Sequence, residues 1–364
     1  MLKKYYTTSV LVLVTFVAFA QFHTLNIPQS SSEVNESQKL GVTNITINYS
    51  SPAVRGRDVW NNARVIPQEG NPIPWRAGAN MNTTIEFSTD VLIEGQLLKA
   101  GKYGFHIIPK GNTFTLLFAH HNNQWGSYYL DVEKDVSLRV DVNSVSSPFS
   151  EQLDFEFLDR TENTLIIGLE WGQQRIPFKV EVDLNMTVVE SFRSELRGIN
   201  TYHWQAWNDA ANWCLNHNTN LEEALEWANR SVNGGYSGFA ANKNLTNLGT
   251  KIKILKKLNR ADELDVAKND AADLYVTAYE AYDFGAFLLR NEFYQDAYEY
   301  NRAKLKDYPD SWSLLLNRGL SRYFLGDIKL AITDIKKVLK SAPERFHNRL
   351  NQIITEVETG TYKL

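Results

Sequence analysis

Apolar and polar residues alternate with a period of two through the first half of this chain and recur with a period near 3.6 through the second. The pattern predicts strands first and helices afterwards. Ile45, Ile47 and Tyr49 alternate with Asn44, Thr46 and Asn48; Leu138, Val140 and Val142 alternate with Ser137, Arg139 and Asp141; Leu153, Phe155 and Phe157 alternate with Asp154, Glu156 and Leu158. Such alternation turns one face of each strand to a core and the other to water. Further segments at Thr84–Phe87, Tyr103–Ile108, Phe114–Ala119, Leu165–Trp171 and Arg175–Val182 bring the expectation to eight or nine closely spaced strands, an antiparallel β-sandwich.

One hairpin register can be derived. With Pro109-Lys110-Gly111-Asn112 as the turn, Ile108 faces Thr113, Ile107 faces Phe114, Phe105 faces Leu116 and Tyr103 faces Phe118. The large apolar side chains then share one face, which a one-residue slip would destroy.

After Ser191 the stripe Trp204, Trp207, Ala211, Cys214 marks the change to helical periodicity, and Gly285, Ala297 and Pro309 recur 34 residues later as Gly319, Ala331 and Pro343. That period belongs to tetratricopeptide-like helical hairpins, where small residues let paired helices approach and a proline stops the second helix. Hairpins are predicted at Tyr202–Asn216 with Leu221–Val232, Leu245–Leu258 with Ala261–Ala272, Ala278–Tyr308 and Ser311–Ser341, closed by a last helix within Ala342–Thr359. The expected organisation is a signal peptide over 1–20, a flexible segment over 21–37, a β-sandwich domain over 38–190 and a helical domain over 191–364.

The signal peptide rests on Lys3 and Lys4, an apolar run from Val10 to Phe19 and the small-x-small order Ala18-Phe19-Ala20 before Gln21. The run is well short of the roughly 20 residues a spanning helix needs, so the mature chain is expected to begin at Gln21, to span no membrane and to be periplasmic or secreted. The single cysteine, Cys214, can make no internal disulfide and reads as a buried helix residue. Charge divides unevenly: residues 21–190 carry 13 Lys and Arg against 20 Asp and Glu, and residues 191–364 carry 23 against 22. Neither half has the basic excess that nucleic-acid binding requires, so no nucleic-acid partner is expected.

The densest chemistry lies in Tyr49-Ser50-Ser51-Pro52-Ala53-Val54-Arg55-Gly56-Arg57 and Pro74-Trp75-Arg76-Ala77-Gly78-Ala79-Asn80. Together with Thr83-Thr84-Ile85-Glu86-Phe87-Ser88, Ala100-Gly101-Lys102-Tyr103 and Trp125-Gly126, these stretches resemble the bacterial domain-of-unknown-function family 2911, over roughly residues 38–177. The resemblance implies an exported bacterial protein, in its long form with a tetratricopeptide-like second half, and implies no activity. Two positions depart from the family pattern: Ser51 stands where an arginine is usual, and Met81-Asn82 where glutamate and alanine are usual.

Arg57, Trp75, Arg76 and Asn80 are the candidate ligand-binding residues, because guanidinium forks and an aromatic face suit an anionic or sugar ligand. The competing reading is that Arg76 and Asn80 tie a long loop together while Trp75 closes one end of the sandwich. His106, His120 and His121 invite a metal reading, but the register places His106 roughly 17 Å from His120, and adjacent His120 and His121 point to opposite faces if extended. No metal site is therefore expected. No cofactor is expected either, since the sequence has no P-loop, dinucleotide glycine fingerprint, G-x-S-x-G elbow or H-E-x-x-H helix.

The function expected is an exported, non-catalytic binding or scaffolding protein. A protein or peptide partner would meet the first helix of each hairpin, through Tyr279, Tyr282, Arg290, Leu316 and Tyr323. The alternatives are a hydrolase acting on a sugar or peptide in the β-sandwich loops, and a sandwich that binds glycans without chemistry.

Overall fold

The computed structural model describes residues 28–364. The signal peptide and the start of the 21–37 segment lie outside the described residues. The chain divides into two compact units: one comprises mainly Asn44–Arg160 and Leu165–Val180, and the other Glu181–Leu364 with Lys39–Thr43 and Thr161–Thr164.

The described residues form ten strands: β1 (Ser32–Leu40), β2 (Thr43–Ser51), β3 (Thr83–Phe87), β4 (Val91–Ile93), β5 (Gln96–Leu98), β6 (Gly101–Lys110), β7 (Thr113–Ala119), β8 (Val136–Asn143), β9 (Val145–Leu158) and β10 (Thr164–Glu181). One sheet has the order β1-β2-β3-β6-β7-β8 and the other β5-β4-β10-β9. The pairings β2–β3, β3–β6, β6–β7 and β7–β8 are antiparallel, as are β4–β5 and β9–β10. The sheets meet through aromatic side chains, with Phe105 of β6 at 6.1 Å from Phe155 of β9 and 5.7 Å from Phe178 of β10, and Tyr49 of β2 at 4.8 Å from Phe155 between ring centroids. This is the antiparallel β-sandwich that the alternation predicts.

The expected hairpin register is corrected by two residues. Lys110 pairs with Thr113, Pro109 with Phe114, Ile107 with Leu116 and Phe105 with Phe118, so only Gly111-Asn112 lies in the turn. A shift of two keeps every side chain on its face, so the apolar pattern cannot distinguish the registers; turn chemistry does. Gly111 has φ +61°, and a glycine at the first position of a two-residue turn matches the strand twist. Two further expectations change. The segment read as flexible over 21–37 contains most of β1, and the strands read separately at 165–171 and 175–182 are one strand, β10, with register shifts around Gly172.

A short helix, α1 (Val132–Asp135), belongs to the β unit. The second unit is built from α2 (Leu184–Glu195), α3 (Trp204–His217), α4 (Leu221–Asn233), α5 (Leu245–Lys257), α6 (Ala261–Ala272), α7 (Ala278–Arg290), α8 (Tyr294–Asp307), α9 (Trp312–Phe324), α10 (Ile328–Ser341) and α11 (His347–Glu358). Helical structure begins at Leu184, where Asp183 caps α2 by accepting from the Met186 N–H. The 34-residue repeat has the steric basis inferred for it. A Cβ on Gly285 would lie 2.4 Å from Oδ1 of Asn301, and one on Gly319 2.9 Å from Cγ1 of Ile335. Ala297 and Ala331 are fully buried, and Pro309 and Pro343 each follow a helix by two residues. Cys214 is buried, and burial pushes its thiol up to about 11, which removes it as a nucleophile near neutral pH.

Candidate functional site

The connection between β2 and β3 runs over residues 52–82 without a strand of its own, yet it is tied down by three isolated bridges: Ala53 with Gln152, Trp75 with Ile107 and Met81 with Trp125. Trp75 exchanges both backbone hydrogen bonds with Ile107 at 2.8 Å, which carries Arg76 and the following turn to the end of the sandwich. Its indole is 3% exposed and stacks on Trp171 at 6.1 Å and 9°, with Trp60 edge-on at 5.8 Å.

The motif stretches interlock. Arg76 donates from Nη1 to the Asn80 carbonyl and lies flat against Gly126, where a Cβ would come within 2.6 Å of the guanidinium carbon. Gly126 also has φ +66°, so the position favours glycine on both counts. Asn80, itself at φ +58°, donates from Nδ2 to Ser50 Oγ at 3.3 Å and to the Ser31 carbonyl at 3.4 Å. Arg57 donates from Nε to the Val54 carbonyl at 2.9 Å and from Nη2 to the Ala53 carbonyl at 2.6 Å. Arg76 and Asn80 therefore perform the loop-tying role weighed for them in the sequence, and Arg57 ties its own loop in the same way.

Those ties also arrange a cavity of about 740 Å³ lined by all four candidates, Arg57, Trp75, Arg76 and Asn80, joined by Arg55, Arg64, Tyr128 and Trp171. Its lining includes no Asp or Glu, and none of the four arginines makes an ion pair among the described residues. Tyr128 is 61% exposed, and the Arg76 guanidinium lies 5.6 Å from its ring centroid. Arg55, Arg64 and Tyr128 were missed as site residues. The signal available for the arginines was their spacing: four of the 13 basic residues of an acidic segment fall between positions 55 and 76.

The three histidines occupy unexpected places. His106 points away from the sandwich interior but is fully buried, its Nδ1 2.7 Å from Ser127 Oγ and its Nε2 without a partner among the described residues. Burial, reinforced by the charge of Arg76, pushes its pKa down to about 4, so the imidazole is neutral at neutral pH. Ser127 is 1% exposed, which seals this pair from solvent. His120 and His121 do not point to opposite faces: the strand ends at Ala119, and their rings lie 4.4 Å apart.

In the helical unit, Tyr282, Arg290 and Leu316 line a cleft of about 400 Å³ among α7, α9 and α11, together with Trp312, Arg349 and Ile353. Tyr279 is 72% exposed and does not line it. Tyr323 packs edge-on against Tyr362 at 5.9 Å and against Phe324 at 5.0 Å, outside the cleft lining.

These features define the class of protein: an antiparallel β-sandwich carrying an arginine-lined cavity, followed by a tetratricopeptide-like array. Residues 31–180 match the family described as "Protein of unknown function (DUF2911)". The solved structures similar to this chain include YrrB, a TPR protein with an unusual peptide-binding site, at 15% identity over 48% of this chain and 87% of that one, with TM-score 0.29. They also include a MamA RS-1 double mutant (15% identity, 44% and 97% coverage, TM-score 0.27) and a tetratricopeptide repeat protein from Parabacteroides merdae (14% identity, 49% and 81% coverage, TM-score 0.23). The hairpin packing described above, rather than these likenesses, defines the second unit. No curated protein matches the chain significantly.

Proposed function

We propose that this protein is an exported, non-catalytic binding protein whose β-sandwich takes a small anionic ligand, such as an acidic sugar, in the arginine-lined cavity. The observation that carries the reading is that Arg55, Arg57, Arg64 and Arg76 surround one cavity without a carboxylate in its lining. Uncompensated guanidinium groups around a concave surface favour a negatively charged occupant, and planar donors suit carboxylates. Tyr128 adds an exposed ring beside Arg76. Export is supported by the charged, apolar, small-x-small order of the first twenty residues. A hydrolase would need a carboxylate pair or an activated nucleophile there; beside the arginines, Asn80 and Tyr128 the lining offers Ser30 and Ser31, with no histidine, aspartate or glutamate among the lining residues to activate them.

Among the described residues the Arg55 and Arg64 side chains make no hydrogen bond that holds the loop, so they test binding apart from folding. Replacing both by alanine should weaken binding of an oligogalacturonate probe at least about 100-fold, since hydrogen bonds to charged groups are worth about 1.5–3 kcal/mol each and the two losses add. Isothermal titration gives the affinity, and the melting temperature should stay unchanged. Equal affinity of the double variant and the parent, or no binding by the parent, would sink the reading.

A second reading is favoured by the cleft among α7, α9 and α11, whose apolar walls, Tyr282, Leu316 and Ile353, stand beside Arg290 and Arg349. A peptide with apolar and acidic side chains fits that lining, and the array then serves as the partner-binding half. On a peptide array, Arg290→Ala with Leu316→Ala should lower the signal for such peptides at least about tenfold, in the range of hot-spot truncations, whereas Tyr279→Ala should not. A larger loss from Tyr279→Ala would move the binding surface out of the cleft.

A further inference from the structure

We infer that His120, His121 and Asp135 form a binding site for a divalent transition-metal ion of the zinc type. The Nε2 atoms of His121 and His120 lie 3.7 and 4.0 Å from the same oxygen, Oδ1 of Asp135, and the three ligand atoms all fall within 4.8 Å of one another. These separations are too long for direct hydrogen bonds. They approach the spacing of two ligands that share one ion: with metal–ligand distances of roughly 2.0–2.2 Å, ligand atoms at a tetrahedral centre stand about 3.4 Å apart. Side chains that are 53% and 68% exposed, as those of His120 and His121 are, can make up the difference by rotating.

The backbone beneath them is already fixed. The His120 N–H donates to the Asp135 carbonyl at 2.9 Å, joining the two ends of the site. Asn122 Nδ2 donates to the Lys102 carbonyl at 2.8 Å and to the His120 carbonyl at 3.3 Å. Gly104 faces the His121 carbonyl so closely that a Cβ would lie 2.5 Å from it. The carboxylate is oriented as well: Asp135 Oδ2 accepts from the Asp131 N–H at 2.9 Å, which leaves Oδ1 for the histidines, and the side chain is only 13% exposed. Such outer contacts hold metal ligands in position. Two imidazoles and one carboxylate form a borderline donor set suited to zinc, cobalt, nickel or ferrous iron rather than to calcium or magnesium. Three protein ligands leave at least one position for water or an added ligand.

The test uses the full chain without an affinity tag, stripped with a chelator and titrated with zinc alone against a chromophoric competitor. One zinc per chain is expected. His120→Ala and His121→Ala, both at exposed positions, should each weaken binding at least about tenfold, and Asp135→Asn by about 10- to 100-fold, with circular dichroism unchanged. His203→Ala should have no effect. The inference is overturned if the parent takes up no zinc at about 100 μM, far above the range of protein zinc sites, or if both histidine variants bind as the parent does.

Discussion

Replacing Phe105 by alanine should destabilise the β unit by about 3–5 kcal/mol, and Leu116→Ala by about 2–5 kcal/mol, because neither cavity can close between two packed sheets. Phe105 is fully buried and stands at the centre of the aromatic core, 5.2 Å from Phe118, 5.7 Å from Phe178 and 6.1 Å from Phe155. Alternation alone places its neighbour His106 on the outer face of the strand, where a substitution is expected to cost far less. The structure raises that expectation: His106 is also fully buried, and its loss would strand the Ser127 hydroxyl, a cost of about 1–3 kcal/mol. The order Phe105 above His106 should still hold in urea titrations followed by far-UV circular dichroism. A larger loss for His106→Ala would place the decisive packing on the outer face of β6, under the segment that carries Ser127, and not between the sheets.

His106 shows where sequence reasoning runs out. Alternation states which side of a sheet a residue faces but not whether that side is covered, and coverage here comes from a segment some twenty positions away. Strands of three residues, such as β4 and β5, are too short to carry a period at all. The helices α3 to α11 were legible because each repeats its apolar stripe over three or more turns, with small residues and prolines fixing the phase of the two regular repeats, whereas α1 and α2 were not read as helices. The cavity was half legible. Arg57, Trp75, Arg76 and Asn80 lie in compact motif stretches, but Tyr128 comes from a separate segment, and its meeting with Arg76 depends on the close fit of that guanidinium against Gly126. The cluster of His120 and His121 with Asp135 had no sequence signal of the usual kind, since adjacent histidines oppose each other only while the backbone stays extended, and here the strand has ended.

The two regular repeats also differ in a way that predicts a large effect. Positions 284 and 300 of the first correspond, at a spacing of 34, to 318 and 334 of the second. In the first repeat Phe284 meets Tyr300 edge-on at 5.1 Å, and in the second the same pairing is ionic, Arg318 gripping Asp334. Arg318 donates from Nε and Nη2 at 2.8 Å to the two carboxylate oxygens, and Arg322 adds Nη1 at 2.6 Å. The Asp334 side chain is only 2% exposed, and those of Arg318 and Arg322 are 21% and 17% exposed. Asp334→Ala would leave two largely buried guanidinium groups without their counter-charge, which should cost about 3–5 kcal/mol. Asp334→Asn keeps the shape and some of the hydrogen bonds, so a smaller loss of about 1–3 kcal/mol is expected. Glu299→Ala supplies the contrast: its pairing with Arg302 is exposed on both sides and should contribute no more than about 1 kcal/mol. Hydrogen exchange resolved by peptide should show α9 and α10 opening in Asp334→Ala while the β unit keeps its protection. A cost for Asp334→Ala no greater than that for Glu299→Ala would mean that water replaces the carboxylate freely, and that the helices pack without this ionic pair.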